Sequence, residues 1–197
     1  MVGFMKKKLI LSACVAVAMA FAVPAHAQRL IPKQKGIEVI GSVPLVKGEK
    51  LFTKDNFGIG VSLTRYLKRE NYAFVLAEYE QQTLPYRTYN VLMRDVLLQM
   101  GYMHPILSDR GKNVFLYGGI SALGGYEELN EDKKLLPDGA TLLDRSRFVY
   151  GGAVHGSMEV FLTDWLLFLV KAQGRLLFGS DVHRFRPALS AGFRFNF

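Results

Sequence analysis

The chain has 197 residues, half of them hydrophobic, and carries 25 basic against 17 acidic side chains for a formal charge of +8. The basic excess is mild and scattered, with no run like those that line nucleic-acid grooves. Its single cysteine, Cys14, falls in a segment expected to be removed, so disulfides and thiol catalysis are excluded from the remainder.

That segment is the N-terminus. Lys6, Lys7 and Lys8 form a basic region, residues 9–23 carry no charge, and Ala25-His26-Ala27 follows Pro24 with the small-x-small pattern of a signal-peptidase site. Cleavage is expected between Ala27 and Gln28, giving a signal peptide at 1–27 and a mature domain at 28–197. Met5 is an alternative start. A membrane anchor is the rival reading, but an apolar run of about 15 residues is short for a spanning helix. Leu11-Ser12-Ala13-Cys14 resembles a lipoprotein box, yet Val15 to Val23 continues the hydrophobic core where a polar tether belongs. Cleavage removes three lysines and no acids, which leaves 22 basic and 17 acidic residues, or +5.

The mature chain has no helical stripe and no run of 18 apolar residues. What recurs is alternation: one apolar face and one small or polar face, the dyad repeat of transmembrane barrels. Eight strands are predicted. At 36–44, Ile37, Val39 and Val43 oppose Glu38 and Ser42. At 56–66, Phe57, Ile59, Val61 and Leu63 oppose Gly58, Gly60, Ser62 and Thr64. At 72–82, Ala73, Val75, Ala77 and Tyr79 oppose Glu78 and Glu80. At 95–106, Val96, Leu98, Met100 and Tyr102 oppose Gln99 and Gly101. At 113–127, Val114, Leu116, Ile120 and Ala122 oppose Tyr117, Gly119, Ser121 and Gly125. The sixth, 148–162, has Tyr150, Val154, Met158, Val160 and Leu162 against His155, Ser157 and Glu159. The seventh, 165–178, sets Leu166, Phe168, Val170, Ala172 and Leu176 against Lys171, Gln173 and Arg175. The last is 188–197, where Phe193, Phe195 and Phe197 oppose Arg194 and Asn196.

The connections are expected to alternate: long at 45–55, short at 67–71, long at 83–94, short at 107–112 and longest at 128–147. A two-residue turn follows at Thr163-Asp164, and an intermediate loop at 179–187. Tight periplasmic turns, longer outer loops and both termini inside give this order in outer-membrane barrels. A soluble lipocalin-like barrel has the same strand count but turns its apolar face inward. Strand length favours the membrane, since crossing takes about 9–11 tilted residues and soluble strands more often have about 5–6. Aromatics near strand ends (Tyr66, Tyr72, Tyr102, Tyr126, Phe148, Trp165, Phe178 and Phe197) are expected in two interfacial girdles.

The fold class is therefore all-β, an eight-stranded antiparallel up-and-down transmembrane barrel. Its lumen is narrow enough for side chains to fill, so inward charges have to pair. The expected inward set is Glu38, Glu78, Glu80, Gln99, Glu127, His155, Glu159, Lys171, Gln173, Arg175 and Arg194. The core of this charge network is Glu78, Glu80, Glu159, Lys171, Arg175 and Arg194. The reverse assignment would place each basic group in hydrocarbon, at about 2–4 kcal/mol apiece at mid-depth. The hairpin of strands six and seven is expected to bring Glu159 and Ser157 close to Lys171, within a residue or two of register, so that Glu159 neutralises Lys171.

His155, Ser157 and Glu159 also have the residue types of a nucleophile, its base and an orienting acid. A histidine and serine two apart on a barrel strand resemble outer-membrane lipid A deacylases. Those enzymes act on lipid, and here the trio faces inward. No catalytic, metal or cofactor site is expected. His104 and His183 are isolated, and no two histidines have metal-ligand spacing. Gly118 to Gly125 lacks the lysine and the helix of a phosphate loop. The Pro-Asp-Gly turn and the Asn130-Glu131-Asp132-Lys133-Lys134 run lie in the longest outer loop, the favoured place for any partner outside the cell.

The alternating end with its terminal aromatic, Phe193, Phe195 and Phe197, resembles the sorting signal read by the barrel-assembly machinery. AQRLIPKQKGIEV (27–39), FVYGGAV (148–154), GRLLFGSDVHRFRP (174–187) and FRPALSAGFRFNF (185–197) resemble the TraO family of conjugative transposon proteins. That resemblance implies a component of a conjugative DNA-transfer apparatus and carries over no functional residue. The expected role is structural or docking and non-enzymatic, with outer-membrane lipid, the assembly machinery and other conjugation proteins as partners and no direct nucleic acid. A lipid-modifying enzyme and a generic structural barrel or adhesin are the alternatives.

Overall fold

The computed structural model describes residues 31–45, 56–86, 89–129, 146–180 and 183–197. The expected signal peptide, its cleavage site and most of the longest loop lie outside these residues. Eight antiparallel strands close on themselves: β1 (Lys35–Pro44), β2 (Phe57–Tyr66), β3 (Tyr72–Tyr86), β4 (Tyr89–Ser108), β5 (Val114–Leu129), β6 (Ser146–Phe161), β7 (Leu166–Phe178) and β8 (Phe185–Asn196). Each strand pairs with its sequence neighbour, and β1 meets β8 to close the ring, with Glu38 opposite Arg194 and Ser42 opposite Ser190. No helix among the described residues is long and apolar enough to cross a membrane, so crossing falls to the strands.

The faces are the inverse of a soluble protein's. Along β2 the burial alternates residue by residue, with Ile59 and Leu63 each 60% exposed and Ser62 and Thr64 buried. Ile120 and Val154 are 67% and 61% exposed, whereas Glu38, Glu159, Arg175 and Arg194 are fully buried. An apolar exterior around a charged interior is stable only where the surrounding solvent is hydrocarbon. The expected eight-stranded transmembrane barrel is borne out.

Glycines on the inner face make room for this interior. A Cβ on Gly58 would lie 2.2 Å from Ser42 Oγ, which is turned toward Glu78, and one on Gly36 would lie 3.1 Å from the Arg194 side chain.

Three expectations need correction. The connection placed at 83–94 is mostly strand: β3 runs to Tyr86, β4 begins at Tyr89, and the ladder continues to the Tyr86–Tyr89 pair. Val91, Leu92 and Met93 are apolar in succession, with Val91 and Met93 buried on the inner face, so no polar alternation marked the strand. Likewise β8 begins at Phe185 rather than at Ala188. Finally, Tyr66 and Tyr72 do not join an interfacial girdle. Both rings are buried inside the barrel, because they share the inward parity of Thr64 and Phe74. Tyr102, Tyr126, Phe148, Trp165, Phe178 and Phe197 do face outward and are exposed.

The two ends differ. The near end carries the first and last strand termini and the turns at 67–71, 109–113 and 162–165; the far end carries the other connections. Asp109 organises the turn between β4 and β5. Its Oδ1 accepts hydrogen bonds from the backbone N–H groups of Asn113 at 2.6 Å and Val114 at 2.8 Å, and its Oδ2 accepts from Gly111 at 3.1 Å. These donors, Val114 foremost, hold the carboxyl below its ordinary value of 3.8. A depressed folded value means that the stabilisation is complete above 3.8 and disappears as pH falls through the folded value. Asp109→Ala is therefore expected to lower the urea midpoint of the detergent-folded barrel at neutral pH. The gap from the parent should shrink when the titration is repeated well below pH 3.8; an unchanged gap would show that the turn does not depend on the ionised carboxylate.

Candidate functional site

The polar interior is the one concentration of chemistry among the described residues, and it is ordered in tiers along the barrel. At the near end Arg194, on β8, is the hub. Its Nε and Nη2 donate to Glu38 Oε2 at 3.1 and 2.8 Å, Nη1 donates to Tyr66 Oη at 2.8 Å, and Nη1 and Nη2 donate to Glu159 Oε2 and Oε1 at 2.6 and 2.9 Å. A guanidinium has five N–H donors, and these five bonds match that capacity. Its carbon lies 4.4 Å from the centroid of the Tyr72 ring, and Tyr72 Oη donates to Glu159 at 2.5 Å. Lys171 completes the tier by pairing with Glu38.

The middle tier is built on Glu78, which accepts from Ser42 at 2.8 Å, Gln99 at 3.1 Å and Gln173 at 3.4 Å. Arg175 stands between tiers, paired with Glu80 and 3.7 Å from Glu78. Its Nε and Nη1 lack a hydrogen-bond partner among the described residues. At the far end Arg186 donates to Asp95 at 2.8 Å and Glu127 at 2.5 Å, and Ser180 donates to both oxygens of Glu127 at 2.9 Å.

Every member of the expected inward set stands on the inner face. The pairing differs from the expectation in one respect. Ser157 stands opposite Lys171 on the β6–β7 ladder, close as expected, but Glu159 does not neutralise that lysine. Glu159 turns to Arg194, and Lys171 to Glu38 on β1, past the intervening β8. Two members were missed, Asp95 and Arg186: Asp95 opens the strand predicted at 95–106 but was not assigned to its inner face, and Arg186 fell in the loop expected at 179–187. Their parity was available: Asp95 is four residues from Gln99, and Arg186 is eight from Arg194. With them, the buried described interior holds six carboxylates (Glu38, Glu78, Glu80, Asp95, Glu127, Glu159) and four cations (Lys171, Arg175, Arg186, Arg194).

The His155, Ser157 and Glu159 trio is not assembled as a triad. His155 Nε2 is 2.8 Å from Ser121 Oγ on β5, with its ring edge-on to Phe74. Ser157 is buried and donates to Glu159 at 3.4 Å. Glu159 is committed to Arg194 and Tyr72. No hydrogen bond joins His155 to Ser157 among the described residues, and no group of three potential metal ligands occurs among them. Below the trio the near end is filled by Tyr66, Tyr72, Phe115, Tyr117, Phe161, Leu167 and Leu169, all buried in one apolar cluster. The lumen is closed by side chains.

Removing Arg194 would strand Glu38 and Glu159 in a closed interior. Arg194→Ala is expected to destabilise the barrel by about 3–5 kcal/mol, read as a lower urea midpoint by heat-dependent gel shift. Arg194→Lys, which keeps the charge but cannot reach both carboxylates bidentately, should fall between. A loss within about 0.5 kcal/mol, typical of surface sites, would remove Arg194 from its place as hub.

Several solved structures share this fold. They include Ail, the attachment invasion locus protein of Yersinia pestis (12% identity, TM-score 0.52, covering 85% of this chain and 100% of that one). OprG of Pseudomonas aeruginosa matches at 10% identity and a TM-score of 0.52 over 89% of this chain and 99% of its own. Neisserial surface protein A matches at 12% and 0.51 over 83% and 96%. Identities this low show the fold alone, that of small outer-membrane barrels, and the apolar exterior places the chain in the bacterial outer membrane. No curated protein matches the sequence. Residues 31–197, which include all eight strands, match the conjugative transposon protein TraO, and the chain belongs to that family.

Proposed function

We propose that this conjugation-associated barrel is a non-enzymatic, structural or docking component of the DNA-transfer apparatus at the outer membrane. The observation that carries the reading is the family match across the whole barrel. The closed interior supports it. Neither DNA nor an acyl chain has a path through a lumen filled by Arg194, Arg175 and the near-end aromatic cluster. Work done by such a protein falls to its outer surfaces and loops. The chain reaches the membrane by export, with cleavage between Ala27 and Gln28. Its outward-facing Phe193, Phe195 and Phe197 serve as the signal read by the assembly machinery. Other conjugation proteins are its partners, and it makes no direct contact with nucleic acid.

Deleting the gene from a donor strain should lower transfer frequency, with recovery on complementation; undiminished transfer would sink the proposal. The competing lipid-modifying reading has its own check. Ser157→Ala is expected to leave the acyl pattern of lipid A in the host unchanged by mass spectrometry, and an altered pattern would reinstate an enzyme.

A further inference from the structure

The near-end rim gathers cations that are far apart in sequence. Lys33, Lys35, Arg65, Lys68, Arg69, Arg110 and Lys112 are all exposed there, against Glu70, Asp109 and Asp164. Lys112 is paired with Glu70, and Asp109 is held by backbone N–H groups. The four non-glycine residues of positive φ among the described residues are Lys33 (76°), Arg69 (59°), Glu70 (65°) and Lys112 (52°), all on this rim. Such conformations are strained and persist where the surroundings impose them.

One pair stands out by its register. Lys35 and Arg65 are directly opposite on the β1–β2 ladder, and both share the outward face. Like charges directly opposite are unfavourable, and neither side chain has an ion pair or hydrogen bond among the described residues. Lys33 extends the group, its N–H donating to Tyr66 O at 2.9 Å, and Lys68 begins the turn that follows β2. The next outward pair toward the far end is Ile37 and Leu63, the edge of the apolar belt. Ile37 is level with Phe195, on which Trp165 stacks at a centroid distance of 6.0 Å. The cations thus point sideways at the depth where an aromatic girdle marks the head groups.

We infer that Lys35 and Arg65, flanked by Lys33 and Lys68, clamp the phosphate of an anionic phospholipid whose acyl chains lie along the belt above them. The continuity of the cation pair with the apolar face selects this occupant. A ligand there meets two positive charges at one end and hydrocarbon along the rest. An acidic protein segment or a free phosphate would use the charge and leave the belt unused. The inference concerns lipid contact and is independent of the role in conjugation.

Trp165 is the sole tryptophan and lies two strands from the clamp, so it reports on lipid at this rim. The full-length mature barrel is refolded in phosphatidylcholine vesicles containing equal mole fractions of either phosphatidylglycerol or phosphatidylcholine brominated near the head group. Quenching is expected to favour the phosphatidylglycerol by about fivefold in relative binding, the scale of one basic residue at an anionic surface. Lys35→Gln/Arg65→Gln should bring the ratio to unity while retaining the folded gel mobility, and Lys112→Gln should leave it unchanged. A parent ratio of unity, or a preference that survives the double substitution, overturns the inference. So does loss of the preference on adding inorganic phosphate at constant ionic strength, which would identify a free-anion site. Should the double variant fail to fold, Lys35→Gln alone is expected to lower the ratio, and an unchanged ratio overturns the assignment.

Discussion

A strand in hydrocarbon cannot leave a backbone N–H or carbonyl unpaired, and a closed narrow barrel cannot leave a charge unpaired. The first demand is met by the β1–β8 pairing. The second is met by Arg194, which joins carboxylates of β1 and β6 and a phenol of β2. One side chain on the last strand therefore connects three walls through the middle of the molecule. The aromatic rings that pack around its guanidinium, Tyr66 and Tyr72, also plug the near end. Closure of the lumen and neutralisation of its charge are a single arrangement.

That arrangement bears on function by subtraction. The groups that first suggest catalysis, His155, Ser157 and Glu159, are separated by their partners: Ser121 takes the histidine, and Arg194 takes the glutamate. A base, a hydroxyl and an acid on one strand face are what any charged barrel interior supplies. The chemistry left over lies on the outside, in the apolar belt and the rims.

The fold was legible because its signal is local. A two-residue alternation decides which way each side chain points, so Glu38, Glu78, Lys171 and Arg194 could be turned inward without knowing their neighbours. Partner choice is not local. Glu159 stands near Lys171 by hairpin logic, but the long Arg194 side chain reaches it from β8, one strand beyond, and offers two donors where lysine offers one point charge. Asp95 and Arg186 were hidden for another reason: strand ends near loops keep the parity but weaken the hydrophobic contrast that reveals it. The same holds for Tyr66 and Tyr72, whose position near strand ends suggested a girdle while their parity pointed inside. The basic rim was not legible either, since its members come from β1, β2 and two separate turns and look scattered along the chain.

The Glu38–Arg194 contact has a consequence for how the barrel is made. These two residues are 156 positions apart and face each other across the seam where the first strand meets the last. Seam closure by backbone bonds alone would tolerate slippage, since every N–H finds a carbonyl in any even shift. Slipping β8 by two residues would set Arg194 against Gly36 or Ile40, and slipping it by one would turn the guanidinium out into lipid. The ion pair therefore acts as an error check on the final pairing: the ring locks in the one alignment that discharges both side chains, and misaligned closures stay open to correction.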